Sequence, residues 1–225
     1  MSQTFSLVDS LSLGDLQVYL SRAGRVEDGS VRLIAGSGVL AVYVAVLHPS
    51  GLLDESPTVL GLRTFALTAT DSFDAVVPVR SLLERLARLQ SEIVDPTAAV
   101  TVNLPMQVNT VTWSAISPPR GGWKVLEGVD GSALESVAKA GIDEVAAAIP
   151  VGTGEQLVQR VRSEVWGRPI AGLEYVPAGA AFAALSLGFL GGPDAVRIFE
   201  TGPWTRLSTE RGHVLVKRRA WSLQR

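Results

Sequence analysis

The chain has no cysteine and, in 225 residues, only two histidines and three lysines, while aromatic residues make up 6% of it. Each scarcity excludes some chemistry. Without cysteine there is no disulfide framework, thiolate zinc site, iron–sulfur cluster or cysteine nucleophile. Two histidines, His48 and His213, cannot make a three-histidine metal centre, and no His-x-x-x-His or Glu-rich ligand spacing accompanies them. Neither metal nor cofactor is expected. Long uninterrupted apolar runs are missing too. Leu33–Leu53 and Tyr175–Pro193 carry no Asp, Glu, Lys or Arg, but glycine and proline interrupt both, and they read as core strands and a buried helix rather than membrane spans. The first ten residues hold no Lys or Arg and include Asp9, so a secretory leader is not expected and a cytoplasmic location is.

Apolar residues are plentiful. At 47% hydrophobic against 19% charged, the composition excludes an intrinsically disordered chain. A formal net charge of −2 excludes a bulk basic field of the kind that gathers nucleic acid without regard to sequence. The basic residues are nonetheless uneven: from Arg206 to Arg225 six cations face Glu210 alone, a local +5 that leaves −7 on the remainder. This end reads as a solvated tail that could also touch phosphate or an acidic partner. The excess of Arg over Lys, 17 to 3, reads as coding bias rather than chemistry.

Periodicity predicts the elements. Thr4–Val8 alternates as a strand, and Ser12 is the expected cap of a helix burying Leu13, Leu16 and Leu20 and ending at Gly24. Val31–Ala35 and Val39–Leu47 read as a hairpin joined through Gly36-Ser37-Gly38, and Val59–Thr68 as a further strand. Ala75–Val79 leads into an amphipathic helix with Leu82, Leu83, Leu86, Leu89 and Ile93 inward. Ala98–Leu104 and Val108–Ser114 are expected strands, and the Pro- and Gly-rich stretch Ser117–Trp123 divides the chain into modules at 1–118 and 119–225. The second module is expected to run from a strand at Trp123–Leu126 through helices from Ser132, at Glu155–Val165 and at Ala178–Leu190. Strands at Ala195–Phe199, Thr205–Ser208 and His213–Lys217 close it. The fold class is α+β: two related modules of antiparallel sheet with helices packed on one side.

The modules share a signature. Val77-Pro78, a helix, Ala99–Val102 and Trp113-Ser114 recur in order as Val176-Pro177, a helix, Ala195–Ile198 and Trp204-Thr205, and Val8-Asp9 is echoed by Val129-Asp130. An internal duplication accounts for this economically, with chance matching among common Val and Ala as the competing explanation.

In its order of elements, Thr4 to about Ile116 resembles one domain of the DNA sliding clamps. The resemblance rests on the strand Thr4–Val8, the helix near Leu13–Ala23, the hairpin, Val59–Thr68, Val76-Val77-Pro78 leading into the helix Ser81–Gln90, and the strands Val100–Leu104 and Val108–Trp113. The second module matches from Val176-Pro177 onward, with the Glu155–Val165 helix standing where clamp strands would be. The resemblance implies helices that offer cations to DNA, which here would be Arg22, Arg25, Arg80, Arg85 and Arg88. Glu84 and Glu92 dilute them, and Ala178–Leu190 offers no charge at all. Nucleic acid is therefore a disfavoured partner.

No catalytic arrangement is evident around His48 or His213. Gly36-Ser37-Gly38 and Gly152-Thr153-Gly154 complete neither a P-loop nor a dinucleotide fingerprint, and both read as turns. Tryptophan beside Arg, Gly or Pro is more suggestive, since exposed Trp and Arg are favoured at interaction hot spots. Arg120, Trp123, Trp166, Arg168, Trp204, Arg206 and His213 are accordingly the candidate partner-binding residues, against the alternative that each Trp is buried with its indole hydrogen-bonded. The leading expectation is a non-catalytic binding or scaffold protein with a protein partner or self-association. The alternatives are a DNA-associated processivity-type factor, and an enzyme or small-ligand binder using the cleft between the modules, with carboxylates such as Asp71 and Asp74 as candidates.

Overall fold

The computed structural model describes residues 3–49, 51, 54–70, 72–109, 111–150, 152, 154–191 and 195–218. Its contacts divide the chain into two compact units, Met1–Ala45 with Leu62–Ile116, and Val46–Gly61 with Ser117–Arg225.

In the first unit, the strand β1 (Thr4–Leu7) leads into the helix α1 (Ser10–Val26), followed by β2 (Ser30–Gly36) and by the greater part of β3 (Val39–Leu47) and of β4 (Thr58–Ala66). Then come β5 (Phe73–Pro78), α2 (Val79–Glu92) and β6 (Val100–Asn103). The strands lie in the order β5-β2-β3-β4, while β1 and β6 pair separately, antiparallel, with Phe5 opposite Val102. β2 and β3 form a hairpin in which Val31 faces Val44 and Gly36 faces Val39. Its two-residue turn needs positive φ at both centres, and Ser37 (53°) and Gly38 (77°) provide it. Strict alternation along β2 turns Val31, Leu33 and Ala35 inward. They are part of the core with Leu13, Leu16, Tyr19 and Leu20 of α1 and Val79, Leu82 and Leu86 of α2. Each fully buried Leu or Val side chain there contributes about 1.5–3 kcal/mol. α1 and α2 pack on one another, with Gly24 beside Val79 and Gly14 beside Gln90.

Two expectations need correction. The cap of α1 is Asp9, not Ser12: its carboxylate accepts the Ser12 backbone N–H at 2.7 Å, and the helix runs past Gly24 to Val26. The described residues of Val108–Ser114 form no strand. Val108 N–H donates to the Val76 carbonyl of β5 (2.9 Å), but the Ser114 backbone N–H and side-chain hydroxyl both turn back to the Val111 carbonyl. Local bonds of that kind compete with a ladder, and Thr112–Ala115 forms a 3₁₀ turn that buries Trp113.

The second unit contains β7 (Lys124–Val129), α3 (Gly131–Ala148), α4 (Glu155–Gly167), β8 (Pro169–Ile170), β9 (Leu173–Pro177), α5 (Ala178–Ser186), β10 (Val196–Thr201), β11 (Trp204–Thr209) and β12 (Gly212–Lys217). Its four long strands lie in the order β12-β11-β10-β7, all antiparallel. The little β8–β9 hairpin has no counterpart in the sequence reading. It delivers the chain to α5, whose first N–H, from Ala178, meets the Arg168 carbonyl at 2.7 Å. α5 ends at Ser186, earlier than expected, and six of its nine residues are buried, which is why it needs no charged face.

The paired signatures occupy matching places. Asp9 caps α1, and Asp130 caps α3 by accepting the Ser132 N–H; Pro78 precedes α2, and Pro177 precedes α5. Beyond those helices the two series diverge, because Trp113 sits in a 3₁₀ turn and Trp204 in a strand.

Candidate functional site

The site begins with a tight turn in the second unit. Gly202-Pro203 joins β10 to β11 with Thr201 opposite Trp204, and counting back along the ladder places Phe199 opposite Arg206 and Arg197 opposite Ser208. On the other side of β11, Ser208 faces His213 of β12. β7 adds Val125 opposite Phe199. Because side chains alternate across a sheet, Arg197, Phe199, Arg206, Ser208, His213 and Val125 share one face. Their neighbours Val196, Ile198 and Leu207 are buried core.

Trp123 enters this face from the segment before β7, its indole N–H donating to the Pro119 carbonyl at 3.2 Å. The Arg206 guanidinium then lies 4.6 Å from the centre of the Trp123 ring and 4.4 Å from that of Phe199. Arg197 stands 6.0 Å from the same Phe199 ring. Ring faces are the negative side of the aromatic quadrupole, so each contact attracts the cation. No carboxylate pairs with Arg206 among the described residues, and its Nε is buried without an acceptor. Burial, and then the like charge of Arg197, hold its pKa below the ordinary arginine value. His213 Nδ1 lies 2.9 Å from the Ser208 hydroxyl, and burial followed by the charges of Arg206 and Arg197 pushes its pKa down. The face thus combines aromatic area with positive charge that no acid among the described residues neutralises.

Of the candidates named from sequence, Trp123, Arg206 and His213 come together here. Phe199 and Arg197 were missed, although the turn at Gly202-Pro203 fixes the register that aligns them. Arg120 is exposed in the segment leading to Trp123. Arg168 is exposed but occupied, bound to Glu144 (2.7 and 2.8 Å) and Glu164 (3.2 Å). Trp166 and Trp204 are corrections: at 2% and 5% exposure both belong to the core. Trp166 stacks on Phe182 at 4.3 Å and 15° and presses against Gly141, so the neighbouring Gly, Arg and Pro are no guide to its exposure.

The clamp-type arginines are spread over α1 and α2. Arg80 pairs with Asp28 at 2.5 Å, and Arg85 donates to the Asn103 carbonyl at 3.3 Å. Arg25 and Arg88 are exposed and Arg22 is half-buried. α1 also exposes Leu11 (74%) and Val18 (49%), apolar residues that phosphate would not select. Asp74 is engaged by Arg32 through two hydrogen bonds of 2.6 and 2.9 Å, and Asp71 lies outside the described residues. His48 Nδ1 lies 3.2 Å from the Pro49 carbonyl, a local loop contact. Among the described residues no three His, Asp or Glu gather as metal ligands, and no helix is long and apolar enough to cross a membrane. A cleft of about 540 Å³ in the second unit is lined by Pro57, Pro169, Pro177, Tyr175, Val216 and Arg218, among others.

Comparison with solved structures shows what this arrangement is similar to. A Caulobacter crescentus pol III beta matches 98% of this chain and 67% of its own, at 12% identity and a TM-score of 0.52. A DNA polymerase sliding clamp from the same organism matches 99% of this chain and 67% of its own, also at 12% identity, with a TM-score of 0.51. The fold is sliding-clamp-like. It covers two clamp domains, and the chain spans about two thirds of the length of those clamps. By sequence, residues 1–105 match a domain of unknown function (DUF8010) and residues 118–221 another (DUF8185). No curated protein matches the chain.

Proposed function

We propose that this chain is a non-catalytic binding protein that uses a clamp-like scaffold to present the Arg206 face of its second unit to a protein partner. One observation carries the reading: a half-buried guanidinium held between Trp123 and Phe199 with no carboxylate among the described residues to balance it. A cation kept partly out of water without a counter-charge is costly, and a partner that supplies the counter-charge relieves that cost. Aromatic and arginine side chains at the centre of a patch are also the groups that most often dominate binding energy. The fold supplies rigid strands on which such a patch is held.

The DNA-associated reading draws on the fold alone, and fold does not dictate function. Arg80 and Arg85 are already engaged, α5 is uncharged, and α1 shows apolar Leu11 and Val18. The enzyme reading would need free, convergent acids, and Asp74 is held by Arg32. Affinity capture from the source cells, using the full chain and an Arg206→Gln, Trp123→Ala double variant, tests the proposal. It stands if a protein retained by the native chain is lost with the folded double variant. It falls if both chains retain the same set, or if the native chain takes up duplex DNA in a salt-sensitive way that the double variant leaves unchanged.

A further inference from the structure

We infer that the occupant of the Arg206 face is an acidic segment of a partner protein, whose Asp or Glu carboxylates settle against Arg206 and Arg197; this rests on the binding reading above. Charge selects the class. Two other partly shielded arginines are matched by acids: Arg32 with Asp74, and Arg63 with Asp15. Arg206 is the contrasting case, because its shielding comes from two rings rather than from an acid. Arg197, exposed and beside the same Phe199 ring, sets a second guanidinium on the same face. Guanidinium forks bind carboxylates through paired, charge-assisted hydrogen bonds, the strongest that side chains make.

The surroundings favour peptide over nucleic acid. Val125, 73% exposed, extends the patch with an apolar surface that suits peptide side chains. Arg206 already covers one face of the Trp123 ring and one of the Phe199 ring, which takes those two faces from any base that would stack there. The net charge of −2 gives no long-range attraction for a polyanion. A short acidic segment needs none, because it is recognised at contact distance.

The test uses fluorescence anisotropy with a dye-labelled, alternating Glu-Ala decapeptide as the probe and a single-stranded oligonucleotide of equal charge as its rival. The full chain is compared with Arg206→Gln, with Arg197→Glu as an exposed charge reversal that spares the half-buried position, and with Arg160→Gln on the exposed side of α4. Saturable peptide binding that weakens about tenfold in each of the first two variants and holds in the third is the expected result. Absence of saturable binding, equal losses in all three variants, or tighter binding of the oligonucleotide overturns the assignment. If the peptide fails while the double variant still loses a captured protein, only the acidic chemistry is wrong. If neither effect is seen, the binding reading falls with it.

Discussion

Replacing Gly141 by alanine should destabilise the second unit, although intrinsic preference argues for the opposite. Gly141 lies in the interior of α3, where alanine is favoured over glycine by about 1 kcal/mol. A Cβ at that position would sit 2.3 Å from Cζ3 and 2.7 Å from Cη2 of Trp166. Carbon atoms prefer separations of about 3.5–4.0 Å, so the ring would have to retreat by more than about 1 Å. It has little room to do so. Phe182 is stacked on the Trp166 ring at 4.3 Å, and the Trp166 main chain is pressed onto Gly179, whose own added Cβ would meet the Trp166 carbonyl at 3.0 Å. Overpacking of this kind costs about 1–3 kcal/mol or more, and with the ring hemmed in the cost falls at the upper end, which exceeds the helical gain and leaves a net loss of about 2 kcal/mol. Urea unfolding followed by far-UV circular dichroism measures it, with near-UV dichroism reporting the Trp166–Phe182 pair. Gly24→Ala is the internal control: its added Cβ meets only Val79 Cγ1 at an ordinary 3.6 Å, so that variant should gain stability. A Gly141→Ala chain that is stabilised as much as Gly24→Ala, with unchanged near-UV signal, would refute the reasoning.

Two further outcomes follow from the second unit's sheet. The Thr205 hydroxyl is fully buried on β11 with no hydrogen-bond partner among the described residues, so Thr205→Val, which keeps the shape and removes the unpaired group, should raise the urea midpoint by the equivalent of about 1 kcal/mol; a lower midpoint would show that the hydroxyl is satisfied. His213 is held neutral by burial and by Arg206 and Arg197, so the unfolded chain takes up a proton more readily than the folded one. Its contribution to stability is therefore complete above the unfolded histidine value near ~6.5 and is lost as pH falls below it. His213→Asn should flatten the fall in stability between about pH 7 and pH 5, and an unaltered slope in thermal melts across that range would contradict the assignment.

Much of the fold is legible in the residues, and where it is not the reasons are physical. Val-Asp and Val-Pro mark helix entrances in both units because an Asp side chain caps free N–H groups and proline tolerates the start of a helix. Gly36-Ser37-Gly38 marks the hairpin for an equally local reason. Helix starts are harder to place to the residue, since Asp9 and Ser12 are both competent caps and only geometry separates them. Val108–Ser114 has a strand's composition, yet the Ser114 hydroxyl and the burial of Trp113 decide its conformation. The Arg206 face was half visible. Trp123, Arg206 and His213 stood out by type, whereas Trp166 and Trp204 shared the same flanking signals and lie in the core. Flanking residues report turns, not burial. Phe199 and Arg197 carry no local signal, and it is the strand register that brings them to Arg206.

The most direct measurement places a photo-crosslinking amino acid at Val125, beside Phe199 and 73% exposed, and for comparison at Val94, 97% exposed in the first unit, and irradiates living source cells. The account predicts a discrete protein adduct from position 125 that disappears when Arg206 is changed to Gln, and none from position 94. Adducts from position 94 alone, or an adduct at 125 indifferent to Arg206, would contradict it.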